Sequence, residues 1–414
     1  MLTPEYLLRC TDAVLGIYDE LDRAIIADIA RRIVKTGKLT PTAKFQTRKI
    51  QQAGMLLDDV TEKVAMASGY SRREVEALFN EAGIMGMKND AMPLIRSGKE
   101  VNLQLSPAMQ EILKANIAKT NGDLGNLTMT TGTTALGEYI DAVNEALMKV
   151  ESGAFSYDQA IRDAIKRAAQ EGNHVSYSSG NRDKLDVAVR RSVLTGLNQT
   201  AGKLTEIYSR DLGAEYYETS AHAGARPSHA VWQGRIFKIE GATADYPNFE
   251  ESTGYGTGAG LCGWNCRHSF YPYFPGLSVP AYTKDMLDGY DEPKYKYNGN
   301  KLTEYEVSQL MRANERDIRA TKRELVGYKA AADEATDSAL KAQFQDDFDQ
   351  ASVLLKSQEA RYKDLCKQTG HKPDSTRTSV VAIKDPSGKI VSWDQSAAQK
   401  ARRSNERHIR EQGG

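Results

Sequence analysis

The stretch that decides the fold runs from Ser220 to Phe274. It reads SAHAGARPSHAVWQGRIFKI at residues 220–239 and YPNFEESTGYGTGAGLCGWNCRHSFYPYF at residues 246–274. It holds three of the six histidines, two of the four cysteines and two of the three tryptophans, so chemistry-bearing side chains are concentrated here. The segments AEYYETS (214–220) and GRIFKI (234–239) are short and rich in aromatic and β-branched residues, which predicts strands. We therefore expect a small α+β domain that begins at residue 214 and contains this stretch.

The 213 residues before it favour helix almost throughout, because apolar residues recur there at three- and four-residue spacing. Serine, proline and glycine mark the expected helix ends. These signals are a stripe from Pro4 to Lys35 that ends at Gly37, capping boxes at Ser71–Glu74 and Ser156–Gln159, a first-turn proline at Ser106–Pro107, a stop at Gly172 and a helix from Asp183 to Gly213. The polar stretches 121–134 and 173–183 are interpreted as connecting loops and candidate hinges.

Composition limits the classes of protein to consider. A chain of 414 residues predicts two or three domains. Its 55 basic and 55 acidic side chains cancel, so no global charge attracts it to nucleic acid or to an anionic membrane. The most apolar run, AIIADIA (24–30), is far shorter than a membrane span, and the N-terminus lacks a signal-peptide pattern. Four cysteines do not make a disulfide framework. We expect a soluble protein with reduced thiols, made in a cytoplasm and without membrane partners.

The region behind the α+β stretch is charged and helical. Thr303–Glu306 has the form of a capping box, and two apolar seams separated by DEATDS predict a helical hairpin or a coiled-coil arm. The segment 379–393 predicts a short β-hairpin that turns at Asp385–Gly388. A basic tail follows, and contact of this tail with DNA is a hypothesis because cations near phosphates release counterions. Its cations are Lys400, Arg402, Arg403, Arg407 and Arg410.

Two features of the deciding stretch could carry chemistry. Zinc takes four Cys or His ligands, and the candidates are His222, His229, Cys262, Cys266 and His268. The alternative is that no cofactor is bound, that both cysteines are buried hydrophobes and that His229 and His268 bond backbone carbonyls. The glycine-dense loop 255–260 could cradle a phosphate, but its glycines are explained better by tight turns beside an aromatic core. That core is predicted to contain Trp232, Phe237, Trp264 and Phe270–Phe274.

Arg226-Pro-Ser-His229, Trp232-Gln-Gly234-Arg-Ile-Phe237, a glycine-rich loop and Asn265-Cys266-Arg267-His268 follow one another in a recognisable order. This order resembles the phage minor capsid protein 2 family and, more distantly, the Mu F-like head-morphogenesis domain. The resemblance implies a structural minor capsid protein of a tailed-phage head, located in the virion, whose partners are the portal or the major capsid protein. It implies no enzyme and no small-molecule substrate. Its signature residues are Arg226, His229, Trp232, Gly234, Asn265, Cys266, Arg267 and His268.

Three enzymatic alternatives use some of the same residues. A zinc deaminase fails, because the chain has His222-Ala-Gly and Cys262-Gly-Trp-Asn-Cys266 in place of the required motifs. A metal-dependent nuclease would use His229, Asn265 and His268, without an obvious acidic partner. An ADP-ribosyltransferase would use Glu304-Tyr-Glu306, which the capping box explains better. The alternative function is thus a head-associated enzyme that uses the His/Cys cluster.

The predicted fold class is mainly α with a small α+β domain. The domain boundaries follow from the changes in periodicity and composition. They are an N-terminal helical domain (1–120), a second helical segment (135–213), the α+β signature domain (214–280), a Tyr/Pro-rich linker (281–302), a charged helical hairpin (303–368) and a short hairpin with the basic tail (369–414).

Overall fold

The structure, a computed structural model, describes residues 1–37, 39–177, 179–374, 377–378, 383–384 and 390–392. Most of these residues are helical and the strands are short, which confirms the predicted fold class. The chain forms two compact units. The first unit comprises Met1–Val14, Ser71–Leu124 and Val189–Leu310. The second comprises Leu15–Tyr70, Gly125–Ala188 and the described residues from Met311 onward.

The described helices range from one turn to fifteen turns. They are α1 (Pro4–Arg9), α2 (Asp12–Thr36), α3 (Ala43–Arg96), α4 (Pro107–Glu151), α5 (Tyr157–Glu171), α6 (Leu185–Asp211), α7 (Pro227–Ala230), α8 (Phe249–Thr253), α9 (Lys284–Asp291), α10 (Glu304–Glu334) and α11 (Ser338–Thr369). The strands are β1 (His174–Ser176), β2 (Arg182–Lys184), β3 (Tyr216–Thr219), β4 (Ile236–Lys238), β5 (Phe270–Tyr273), β6 (Tyr295–Tyr297), β7 (Asn300–Leu302), β8 (Ile383–Lys384) and β9 (Ile390–Ser392).

Several predicted helix ends are confirmed. Ser156 accepts a hydrogen bond from the Gln159 amide at 3.2 Å and starts α5, and Gly172 ends it with φ 59°. Pro107 is the first residue of α4, as its missing amide favours. Gly37, with φ 72°, follows the end of α2. The stripe from Pro4 is confirmed as helical, although a turn at residues 10–11 divides it into α1 and α2.

Two predictions in this half are wrong. Ser71 does not start a helix, because it lies buried in the middle of α3. Residues 121–134 are not a hinge, because they are part of α4. The hydroxyls of Thr128 and Thr131 bond back to the carbonyls of Gly125 and Leu127 at 2.9 Å, so these polar residues are satisfied within the helix. The other candidate hinge, 173–183, contains β1 and most of β2, an antiparallel pair between α5 and α6.

A helical hairpin in the second unit confirms one of the two arrangements expected for the charged region. Asp337 caps α11 directly after the turn that follows α10. Arg361 of α11 then reaches back to Asn314 at 2.7 Å and to Asp317 at 2.6 Å, both on α10, so the two helices run antiparallel. Their apolar seams are buried through Ile318, Leu325, Tyr328, Phe344, Phe348, Leu355, Tyr362 and Leu365.

The α+β part of the first unit contains a three-stranded antiparallel sheet in the order β4–β3–β5. Its core is aromatic, and the prediction for Trp232, Phe237 and Phe270 is confirmed. The prediction for Trp264 is wrong, because 60% of this side chain is exposed. Backbone conformation explains the difference. Asn265 takes a left-handed φ of 53°, and the Trp264 ring lies against the backbone of Gly258 instead of entering the core.

After β5 in the sequence, the segment interpreted as a linker, 281–302, contains α9 and the antiparallel pair β6–β7. Thr283 caps α9 and Thr303 exchanges hydrogen bonds with Glu306, which confirms the capping box at the start of α10. Strands β8 and β9 pair antiparallel, in agreement with the predicted hairpin. The Asp385–Gly388 turn and the basic tail with Lys400, Arg402, Arg403, Arg407 and Arg410 lie outside the described residues.

All four cysteines are free thiols, as expected for a chain without a disulfide framework. Within the described ranges, no helix is both long enough and apolar enough to cross a bilayer.

Replacement of Phe344 by alanine tests the core of the hairpin. The Phe344 side chain is fully buried, so its removal leaves a cavity and should lower the free energy of unfolding by about 3–5 kcal/mol. Val353 on the same helix is 52% exposed, so Val353→Ala should change the free energy of unfolding by less than about 0.5 kcal/mol. Urea denaturation followed by circular dichroism measures both. Equal losses in the two variants would contradict the placement of the seam.

Candidate functional site

Two short segments of the first unit bring the candidate site together. The first is α7, which begins at Pro227 and carries His229 in its single turn. The second is the loop 261–268, which ends just before β5 and carries Cys266 and His268. All three side chains are buried, with 2%, 1% and 1% of their surface exposed. They form the one group of possible metal ligands found among the described residues, and we call it the His–Cys–His cluster.

The geometry of the cluster is centred on the Cys266 sulfur. Its Sγ lies 3.7 Å from Nδ1 of His229 and 3.7 Å from Nδ1 of His268. The three atoms all lie within 4.8 Å of one another. The His268 backbone N–H also points at this sulfur, at 3.4 Å. The sulfur therefore faces two imidazole nitrogens and one amide donor in a space closed to solvent.

The far nitrogen of each imidazole is held by an oxygen. Nε2 of His229 lies 2.9 Å from the carbonyl oxygen of Ala259. Nε2 of His268 lies 3.0 Å from Oε1 of Gln233, and the same Oε1 accepts the His222 amide at 3.1 Å, which identifies it as the amide oxygen. Because both oxygens are acceptors, each Nε2 carries the proton. Both Nδ1 atoms therefore present a lone pair to Cys266.

Helix α6 holds the loop in place. The side-chain amide of Asn198 is fully buried and donates to the carbonyls of Cys266 at 3.0 Å and His268 at 2.8 Å. Thr195, one turn earlier, accepts the backbone amide of Asn265 at 3.3 Å. The loop also contains two non-glycine residues with left-handed φ, Cys262 at 59° and Asn265 at 53°. Such conformations cost free energy and persist only where the surroundings impose them.

The glycine-dense loop is packed backbone against backbone. A Cβ on Gly260 would lie 2.0 Å from the Gly254 carbonyl oxygen, and one on Gly263 would lie 2.4 Å from that of Gly258. Within the loop, the amide of Thr257 donates to the Gly254 carbonyl at 3.0 Å, and the amide of Gly260 donates to the Thr257 hydroxyl at 3.1 Å. These contacts support the tight-turn interpretation over the phosphate cradle, because two of the loop's amides are bonded within the turn.

Burial keeps the cluster neutral. It raises the pKa of the Cys266 thiol, chiefly by desolvation of the thiolate. It lowers the pKa of His229 and lowers that of His268 well below its usual range, again by desolvation. A thiolate–imidazolium pair, the form that makes a cysteine nucleophilic, is disfavoured in this environment. The environment of Cys266 therefore does not favour nucleophilic catalysis.

The structure places the other two predicted zinc ligands outside this cluster. The His222 ring stacks on His268 with centroids 4.4 Å apart, and its Nδ1 lies 2.8 Å from the Ala223 carbonyl oxygen. The Cys262 sulfur lies 3.7 Å from Oδ1 of Asn198 and belongs to the aromatic core. Three of the five candidate ligands thus meet in the cluster, and the other two lie beside it.

The remaining signature residues contact the cluster or the segments that carry it. Arg226 donates to the Trp264 carbonyl at 2.9 Å, which ties the start of α7 to the loop. Trp232 packs against both His229 and His268, with centroids 4.7 and 4.9 Å apart. Gly234 has a φ of 65° before β4, and a Cβ there would lie 2.6 Å from Leu287. Arg267 is half-buried and lies between Cys266 and His268 in the loop.

Sequence reasoning missed Asn198 and Gln233. A signal for Asn198 was present, because it lies four residues after Leu194 on the buried face of α6, where a polar side chain needs a partner. Gln233 lies inside the quoted motif, but nothing in its spacing shows that its amide would join two histidines. Its role depends on the approach of Ser220–His222 to β5.

Comparisons with known proteins agree with the resemblance found in the sequence. The family model for phage minor capsid protein 2 matches residues 2–367. A structural protein of Lactococcus phage LL-H is 24% identical over 302 residues, 69% of this chain and 77% of the relative. A structural protein of Lactococcus phage mv4 is 38% identical over 69 residues, 17% of this chain and 47% of the relative. No solved structure matches.

Replacement of Asn198 by alanine tests the link between α6 and the site. It leaves two buried carbonyls without their donor, so the free energy of unfolding should fall by about 2–4 kcal/mol. Asn80 on α3 of the same unit is exposed and donates to the Glu76 carbonyl one turn earlier in its own helix, so Asn80→Ala should be nearly neutral. Thermal and urea unfolding of both variants provide the measurement. A neutral Asn198→Ala would show that the loop does not depend on α6.

Proposed function

Because the chain belongs to the phage minor capsid protein 2 family, we propose that it acts near the portal or inside the head of a tailed phage. In this proposal it is made in the host cytoplasm and joins the assembling head through contacts with the portal or the major capsid protein. It contributes to head morphogenesis as a structural component, with no substrate to turn over.

The observation that carries the proposal is the extent of the family match. Residues 2–367 include α1 to α10, the sheet β4–β3–β5 and nearly all of α11. The match therefore includes residues of both compact units and is not confined to one domain. Both relatives named above are described as structural proteins of phages, which supports the same conclusion.

The surface of the first unit offers anchors for a protein partner. Trp264 is 60% exposed and Val231 is 63% exposed. Arg226 donates to the backbone carbonyl of Trp264 and so holds that residue in place. Exposed tryptophans fixed to a rigid frame are common energetic centres of protein interfaces. We propose that Trp264 is the main contact to the neighbouring head protein.

The enzymatic alternatives gain no support from the same residues. Glu306 accepts the backbone amide of Thr303 at 2.8 Å and its hydroxyl at 3.0 Å, so the Glu304-Tyr-Glu306 motif starts a helix. The His–Cys–His cluster is buried and, within the described residues, contains no carboxylate that would serve a nuclease. These observations favour a structural role.

Site-specific photo-crosslinking tests the proposed contact. A photoreactive amino acid at position 231 should crosslink to the portal or major capsid protein in purified particles, because Val231 is exposed beside the site. Trp264→Ala should reduce incorporation into particles at limiting expression, since loss of an interface anchor of about 2 kcal/mol weakens binding about 30-fold.

Met129, which is 76% exposed and lies in the second unit, supplies the control. Met129→Ala should incorporate normally. Expression of the chain in infected cells without its recovery in purified particles would overturn the structural proposal. Recovery in particles with no loss for Trp264→Ala would place the contact on another surface.

A further inference from the structure

The His–Cys–His cluster contains an imbalance of hydrogen-bond donors and acceptors. Each imidazole is protonated at Nε2, because Nε2 faces the oxygen of Ala259 or of Gln233. Each Nδ1 is therefore an acceptor, and both point at the sulfur of Cys266. A thiol carries one proton, so it can satisfy at most one of the two. A buried acceptor left without a donor costs about 1–3 kcal/mol.

We propose that His229, Cys266 and His268 bind a zinc ion through Nδ1, Sγ and Nδ1. A cation accepts electron pairs from all three atoms at once and so removes the imbalance that a single proton leaves. On binding, the Cys266 thiol forms its bond to the metal as a thiolate and releases its proton to solvent, and both imidazoles remain neutral. The proposal is independent of the head-assembly function, since it concerns how the α+β fold is held together.

The distances agree with a shared metal. Zinc binds sulfur at about 2.3 Å and imidazole nitrogen at about 2.0–2.1 Å, so a tetrahedral angle places the two ligand atoms about 3.6 Å apart. Both observed sulfur–nitrogen distances are 3.7 Å. The ligand atoms as a group lie within 4.8 Å of one another. Two zinc-bound nitrogens would lie about 3.4 Å apart in a tetrahedral site, so the imidazole rings must move together by up to about 1.4 Å to close the site around an ion.

The surroundings have the features of a prepared coordination site. Metal-binding histidines usually donate their second nitrogen to an oxygen, which fixes the ring and its tautomer, and both histidines do so here. The His268 amide points at the Cys266 sulfur, a contact that stabilises a thiolate. Cys262 and Asn265 take left-handed φ values of 59° and 53° in the same loop, and the side chains of Cys266 and His268 are buried.

The ligand types select the class of metal. Two imidazoles and a thiolate suit zinc and similar transition ions, whereas magnesium and calcium prefer oxygen ligands. The protein supplies three ligands, and we assign the fourth position to a non-protein ligand. The other two candidates have different contacts: the Cys262 sulfur contacts Oδ1 of Asn198, and the His222 ring stacks on His268. The ion would connect α7 to the loop before β5, two segments that are otherwise short and irregular.

Metal analysis of the purified full chain tests the proposal. Protein expressed in zinc-supplemented medium should contain about one equivalent of zinc by mass spectrometry. Removal by a chelator should lower the Tm by about 5 °C or more, and added zinc should restore it. Cobalt bound to the stripped protein should give a thiolate-to-cobalt charge-transfer band, which reports the Cys266 sulfur directly.

Variants assign the ligands. Cys266→Ser should abolish the charge-transfer band, and His268→Gln should lower the zinc content at least tenfold. Cys262→Ala is the matched control, because Cys262 is equally buried in the same loop, and it should retain both the zinc and the band. Wild-type protein with less than about a tenth of an equivalent of zinc and no cobalt band would overturn the proposal, even if the ligand variants do not fold. Loss of the metal in Cys262→Ala would overturn the assigned ligand set.

Discussion

The α+β part of this chain depends on one buried amide. Asn198 reaches from the apolar face of α6 and donates to two carbonyls of the loop that precedes β5. Carbonyls in an irregular buried loop lack the amide partners that a helix or a sheet provides, and leaving them without such a donor would cost more than burying the Asn198 amide. The position of Cys266 and His268 follows from these two bonds. So does the approach of the loop to α7, where His229 lies.

Around this link the fold uses close backbone packing in place of a large apolar core. Gly260 and Gly263 lie where any side chain would collide with carbonyls of the same loop. Arg226 joins the start of α7 to the loop, and Gln233 joins the loop to the segment after β3 at His222. The aromatic core beside them consists of a small group of side chains centred on Phe249 and Phe270. The proposed metal ion would add to the stability of a part with a small apolar core, because one ion can replace many apolar contacts.

The second unit has a different physical basis. Its hairpin of α10 and α11 is held by a continuous apolar seam and by side-chain pairs such as Arg361 with Asp317. Partly exposed ion pairs contribute little each, so the seam carries most of the stability. The phage minor capsid protein 2 family match covers both kinds of architecture. A protein of this family thus combines long helical elements with a small, polar and strongly organised α+β part.

The sequence alone determined what depends on local chemistry. Ser156, Pro107 and the Thr303–Glu306 pair mark true helix starts, because a cap is satisfied by residues within one turn. The change from helix to strand after Gly213 also follows from the residues, and so do five side chains of metal-binding type, which include His229, Cys266 and His268. The order of motifs was enough to identify the family.

Only the tertiary structure decided features that depend on distant partners. Ser71 and the stretch 121–134 carry polar signals of helix ends and loops, yet they lie inside α3 and α4. Packing of the buried face and hydroxyl bonds to the preceding turn outweigh local propensity there. Trp264 reads as a core residue and is exposed, because the left-handed turn at Asn265 directs it outward. Which three of five possible ligands meet was likewise fixed by the contacts of Asn198 and Gln233, which no spacing in the chain reveals.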